Sequence, residues 1–108
     1  MDKIKFSHRY SKLSGKVFTT IRRYDRYTAD KQYEVDVKFG FGKTHRFDAF
    51  LLDKYKRRLR DIPTGLLLYD TDEPTRERAV ELLNSFYRKR VEDDEVLTIL
   101  LFMRLEDE

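Results

Sequence analysis

Six cations stand among three tyrosines between positions 9 and 27. Arg9, Lys12, Lys16, Arg22, Arg23 and Arg26 are interleaved with Tyr10, Tyr24 and Tyr27, with Gly15 and two threonines between them. Cations neutralise phosphate, aromatic faces receive unstacked bases, and a bend at glycine lets backbone amides approach an anion. No nucleophile in this run has a base beside it. The pattern points to nucleic-acid binding, with RNA favoured, and the cations are expected to face outward from a bend and a loop. At a strand end, Arg22 could fork onto a phosphate, and strand alternation pairs it with Thr20 rather than Thr19. A solvated basic surface with core tyrosines is the plainer reading of the same residues.

Lys54, Lys56, Arg57, Arg58 and Arg60 form a second basic cluster. Lys54 and Lys56 share a strand face and would extend a phosphate track, although a charged sheet edge guarded against aggregation has the same composition. His8 and His45 each precede an arginine but lack the spaced partner that catalysis or metal binding requires. Asp70, Asp72 and Glu73 resemble a carboxylate cluster for a divalent cation. They also lie where a helix N-terminus favours negative charge, and Asp72 is the expected N-cap. Asp93, Asp94 and Glu95 read as a turn. With no phosphate loop, GxSxG or zinc spacing, neither a cofactor nor a metal is expected.

These residues need a scaffold, and 108 residues are enough for one domain spanning 1–108 with its own core. The absence of cysteine excludes disulfides and thiolate metal sites. The opening MDKIKF has no apolar run and no stretch is long enough to span a bilayer, so a cytoplasmic location without membrane contact is expected. Charged residues are 40% of the chain, and Gln32 and Asn84 are the only side-chain amides, a composition common in proteins from hot environments. Residues 1–60 hold 17 Lys and Arg against 7 Asp and Glu, whereas residues 61–108 hold 6 against 13. That division predicts a basic face and an acidic face, unless folding interleaves the halves.

Lys3 to Phe6 reads as a short strand and Val17 to Arg22 as a second. Tyr24 to Gln32 is a loop. Tyr33, Val35, Val37 and Phe39 alternate with Glu34, Asp36 and Lys38, the period of a strand. Gly40 to Lys43 supplies a hairpin turn, and the return strand runs from about Thr44 to Tyr55. LRDIPTGLLLYD predicts a short helical turn, followed by the main helix from about Pro74 to Lys89, with Ala79, Leu82, Leu83, Phe86 and Tyr87 as its apolar stripe. VLTILLFMRL is a nearly continuous apolar strand suited to the middle of a sheet. The order β-β-β-β-α-α-β predicts an α+β domain: a small mixed barrel of five to six strands, closed by the last strand and plugged by the helices.

At KLSGKVFTTIRR, and in this order of elements, the chain resembles the ASCH family of the PUA-like superfamily. The KIKFSHRY strand, the LRDIP segment and the DDEVLTILLF strand add to the resemblance, which covers nearly the full length. It implies a small β-barrel with flanking helices and an RNA-binding cleft beside the motif; some members are nucleases and bacterial relatives hydrolyse acetylcytidine. The family motif is Gly-x-Lys-x-x-Glu-x-Arg, with Thr replacing Glu in the amidohydrolases. Gly15, Thr20 and Arg22 match the latter form, while Val17 stands in the lysine position and Lys16 lies one place before it. The resemblance therefore implies binding more than catalysis.

The expected function is RNA binding in a basic cleft formed by Arg9, Lys12, Gly15, Lys16, Thr20, Arg22, Arg23, Tyr24, Arg26, Tyr27, Lys54 and Lys56. The alternative is a hydrolase of a modified nucleoside or of RNA, with Thr20 and Lys16 as its catalytic candidates. A third reading is a protein-docking face on the acidic helix from Glu73 to Glu81.

Overall fold

A computed structural model describes residues 2–7 and 10–105; Arg9 and His8 lie outside them. The alternation read at Tyr33 becomes β3 (Lys31–Phe39), with Tyr33, Val35 and Val37 buried and Asp36 and Lys38 on the opposite face. Gly40 and Gly42 turn the chain with φ of 63° and 70°, left-handed values that glycine adopts without a Cβ penalty. The return strand β4 (Lys43–Arg58) is 16 residues long and pairs antiparallel with β3 as far as Leu51. On its other edge β4 pairs with β5 (Val96–Arg104) from Ala49 to Arg58, and a register shift between Leu51 and Asp53 leaves Leu52 as an extra residue. A bulge bends and twists its strand, so this long strand curls the sheet.

The short β1 (Lys3–Phe6) runs parallel to β3, and β2 (Val17–Arg22) runs antiparallel to β5, giving the order β1-β3-β4-β5-β2. The edge strands β1 and β2 curl toward each other. Phe6 and Phe18 meet edge to face at 6.2 Å, and the Arg22 guanidinium donates to the Lys5 carbonyl at 3.0 Å. The expected barrel is thus a five-stranded mixed half-barrel, left open at this seam.

One apolar core fills the curl around Phe18, Leu51, Leu100 and Phe102; a second lies beneath the helices around Ile21, Leu67, Ala79, Leu83, Leu97 and Ile99. β5 contributes to both, the physical reason for its nearly continuous apolar run. Between β4 and β5 stand α1 (Thr64–Thr71) and α2 (Arg76–Ser85), so the expected short turn is a complete helix. Two helix ends differ from the sequence reading. Thr75 caps α2 by accepting from the Arg78 amide at 3.2 Å, whereas Asp72 closes α1 in a left-handed conformation, φ 58°. α2 stops at Ser85 rather than near Lys89. There the Asn84 side chain accepts from the Val91 amide at 2.7 Å, and the Tyr87 hydroxyl accepts from the Arg23 amide at 3.0 Å. Among the described residues, no helix is long and apolar enough to cross a membrane.

Candidate functional site

The open seam continues into a cleft of about 520 Å³, bounded by β1, by Thr20 to Arg22 of β2, by the polar face of the β3–β4 hairpin, and by both helices. Its deepest charge comes from a tight 3-10 turn at Ser11–Ser14. The Gly15 amide donates to the Lys12 carbonyl at 3.1 Å to close that turn. A Cβ on Gly15 would press on the backbone oxygens of Val17 at 3.3 Å and Lys12 at 3.4 Å, so this glycine serves close backbone packing.

The turn drives Lys12 inward. Its ammonium bonds the Asp70 carboxylate of α1 at 2.9 Å, with side-chain exposures of only 2% and 5%. The Phe6 and Tyr10 rings lie 5.4 and 5.0 Å from the same nitrogen. Burial pushes the Lys12 ammonium below the usual lysine range, and Asp70 pulls it part of the way back. The Thr19 hydroxyl donates to the same carboxylate oxygen at 2.7 Å. Burial, with the Asp70 charge adding to it, raises the Tyr10 phenol above its ordinary value.

Nearer the mouth, Arg22 and Thr20 share a face, as strand alternation requires. Arg22 Nε donates to Thr20 Oγ1 at 3.0 Å, and its guanidinium lies 5.0 Å from the Phe6 ring. Among the described residues, no carboxylate forms an ion pair with Arg22. Lys5, Lys38 and Arg46 line the same cleft, with Phe86 and Tyr87 on the helical side. Arg46 Nε lies 3.2 Å from Asp36 Oδ1, yet that buried oxygen has no hydrogen bond, so the contact is an ion pair with poor alignment.

The other residues singled out in the sequence are placed elsewhere. Lys16 is exposed and outside the cleft lining, and its carbonyl accepts from the Arg104 amide at 2.7 Å. Arg23 is fastened to Glu95 at 2.7 and 2.8 Å and stacks 5.4 Å from Tyr87, anchoring the segment that leads into β5. Tyr24 is exposed at the edge of Tyr87, with Arg26 at 5.1 Å from its ring, and Tyr27 packs on Tyr33. Lys54 and Lys56 converge on Asp25 at 2.9 and 3.1 Å; their hydrogen bonds hold that carboxyl below its ordinary value.

The basic run is therefore not one outward-facing trough. Carboxylates from the C-terminal half, Asp70 and Glu95, neutralise Lys12 and Arg23, and of the expected residues the cleft keeps Lys12, Thr20 and Arg22. Asp70 and Asp72 are not a shared cation cage either: Asp70 serves Lys12 and Thr19, while Asp72 receives the Ser11 amide at 2.6 Å and the Ser11 hydroxyl. The missed lining residues had legible signals. Asp36 and Lys38 occupy the polar face of the β3 alternation, and Asp70 continues the buried helical stripe of Leu67 at i+3. No family model matches the chain, and no curated protein or solved structure does so either.

Proposed function

We propose that this domain binds single-stranded RNA by taking a nucleotide into the seam cleft. The observation that carries the reading is Arg22. Its guanidinium is held in place by Thr20, the Lys5 carbonyl and the Phe6 ring, and no carboxylate pairs with it among the described residues. A cation fixed by neutral groups keeps its charge for an incoming anion and loses little side-chain entropy on binding. Lys5, Lys38 and Arg46 supply three further positive charges around the same cavity. Arg46 would give up a poorly aligned contact with Asp36, one that carries no hydrogen bond, in exchange for phosphate. Phe86 and Tyr87 provide faces for a base on the helical wall. The half-barrel with its helices, and the spacing of Gly15, Thr20 and Arg22, are the points of likeness to PUA-like and ASCH domains.

Neutralising about four phosphates gives a log-affinity that falls with log salt at a slope near −3 for a single strand. Arg22→Ala should weaken binding and make that slope shallower by about 0.7. An affinity indifferent to salt would overturn the reading.

A hydrolytic reading is favoured by one separate observation: Lys12, rather than Lys16, shares the cleft with Thr20, and burial lowers its pKa. An amine so placed holds a larger neutral fraction than an exposed lysine and could accept a proton. Arg22 donates to Thr20 Oγ1, which leaves the hydroxyl proton free to move outward. Incubation with acetylcytidine and with labelled RNA tests this chemistry. Turnover that disappears in both Lys12→Met and Thr20→Ala supports it, and unchanged substrate with the parent protein refutes it.

A further inference from the structure

At the tip of the β3–β4 hairpin, Phe41 is fully exposed between two glycines of positive φ. The tip is open: a Cβ built on Gly40 or Gly42 would meet nothing within 4 Å. A large apolar side chain held wholly in water contributes nothing to the core. From Val37 to Phe47 the ribbon carries Lys38, Lys43, His45 and Arg46 and no Asp or Glu. The cross-strand pair Lys38 and Thr44 lines the cleft together with Arg46. Phe41 lies three residues beyond each member of that pair, roughly 10 Å along the ribbon at the usual strand rise. Cleft mouth, Lys38, Arg46 and exposed ring thus form one continuous track, while Lys43 and His45, paired with Phe39 and Val37, lie on the other face.

We propose that the hairpin is a second contact for the same RNA strand, with Lys38 and Arg46 following phosphates and Phe41 stacking on a base that lies outside the cleft. This inference rests on the RNA reading of the cleft. One ring is all that a base stack requires, and stacking tolerates any base because each has a π-face. A lone ring between glycines is, by contrast, a small anchor for a bilayer, where stable attachment needs more apolar area or a second signal.

The test titrates the parent chain, Phe41→Ala, Phe41→Trp and Arg22→Ala with a labelled random-sequence single-stranded RNA. Because the chain has no tryptophan of its own, Phe41→Trp reports on the tip alone. Phe41→Ala should weaken binding about ten-fold with the salt slope unchanged, since a stack is lost and no phosphate contact is. Phe41→Trp should retain affinity and lose fluorescence as RNA is added. Parental affinity in Phe41→Ala, with Arg22→Ala still weakened, overturns the hairpin contact and leaves the cleft reading standing. No RNA binding by the parent chain overturns both. If the parent binds phosphatidylcholine–phosphatidylserine vesicles, Phe41→Ala abolishes this and RNA affinity is unmoved, the exposed ring serves a lipid surface and the inference fails.

Discussion

Replacing Asp70 with Asn would leave the Lys12 ammonium among Phe6 and Tyr10 with its side chain 2% exposed and without its carboxylate. Breaking a buried pair by removing one partner costs about 3–5 kcal/mol. The amine's own chemistry sets a similar ceiling. Holding a lysine neutral at pH 7, roughly 3.4 units below its ordinary pKa, costs about 4.6 kcal/mol at 1.36 kcal/mol per unit. Lys12→Met leaves the buried Asp70 carboxylate with the Thr19 hydroxyl and without its cation. Each single variant should therefore lose about 3–5 kcal/mol in guanidinium unfolding at pH 7, much of the roughly 5–15 kcal/mol that holds a domain together. The double variant Lys12→Met/Asp70→Leu replaces both charges with apolar groups and should lie within about 1 kcal/mol of the parent, or above it. A coupling of at least about 5 kcal/mol, two losses of about 3 less the roughly 1 allowed to the double variant, then separates the pair from its members. The sign of the pH dependence follows from the lowered Lys12 pKa: between its folded and ordinary values the unfolded chain binds more protons, so this lysine's contribution to stability rises with pH across that window. Single variants within about 1 kcal/mol of the parent, or a double variant as unstable as the two losses combined, would refute the reasoning.

Three other outcomes test the scaffold. Asp72→Ala removes the acceptor for the Ser11 amide and hydroxyl and should cost about 1–3 kcal/mol in chemical unfolding, with faster amide exchange across residues 11–14. Phe18→Ala empties a fully buried site that touches Phe6, Phe47 and Phe102, and a loss of about 3–5 kcal/mol in the same assay is expected. The Asp25 carboxyl should titrate below the ordinary aspartate range by NMR and move back toward it in Lys54→Ala/Lys56→Ala; its stabilising contribution is present above the unfolded pKa and lost as pH falls through the folded one.

Much of the framework was legible because burial leaves a period in the sequence. Tyr33, Val35 and Val37 alternate because β3 buries one face, and Leu97 to Phe102 run together because β5 lies between two cores. Helix ends were harder. Asp72 and Thr75 are both good capping residues, and the choice fell to Thr75 because Asp72 was drawn to Ser11. The site was the least legible part. Lysine is seldom buried, so nothing local marks Lys12; its position depends on Asp70, 58 residues later. Arg23 likewise meets Glu95 across 72 residues. Thr20 and Arg22 could be paired from alternation alone. Lys38 and Arg46 share a face through the hairpin's own alternation, but Lys5 reaches the same cleft only because β1 joins β3 in parallel, a long-range pairing that local pattern does not encode.

The most direct measurement is an NMR titration of the isotope-labelled protein with single-stranded RNA, following the amide signals. The account expects the largest shifts at Lys5, Thr20, Arg22, Lys38 and Arg46, with smaller ones along the hairpin to Phe41. Shifts confined to the Lys54, Lys56 and Arg23 surfaces, or a spectrum unmoved by RNA at low salt, would contradict it.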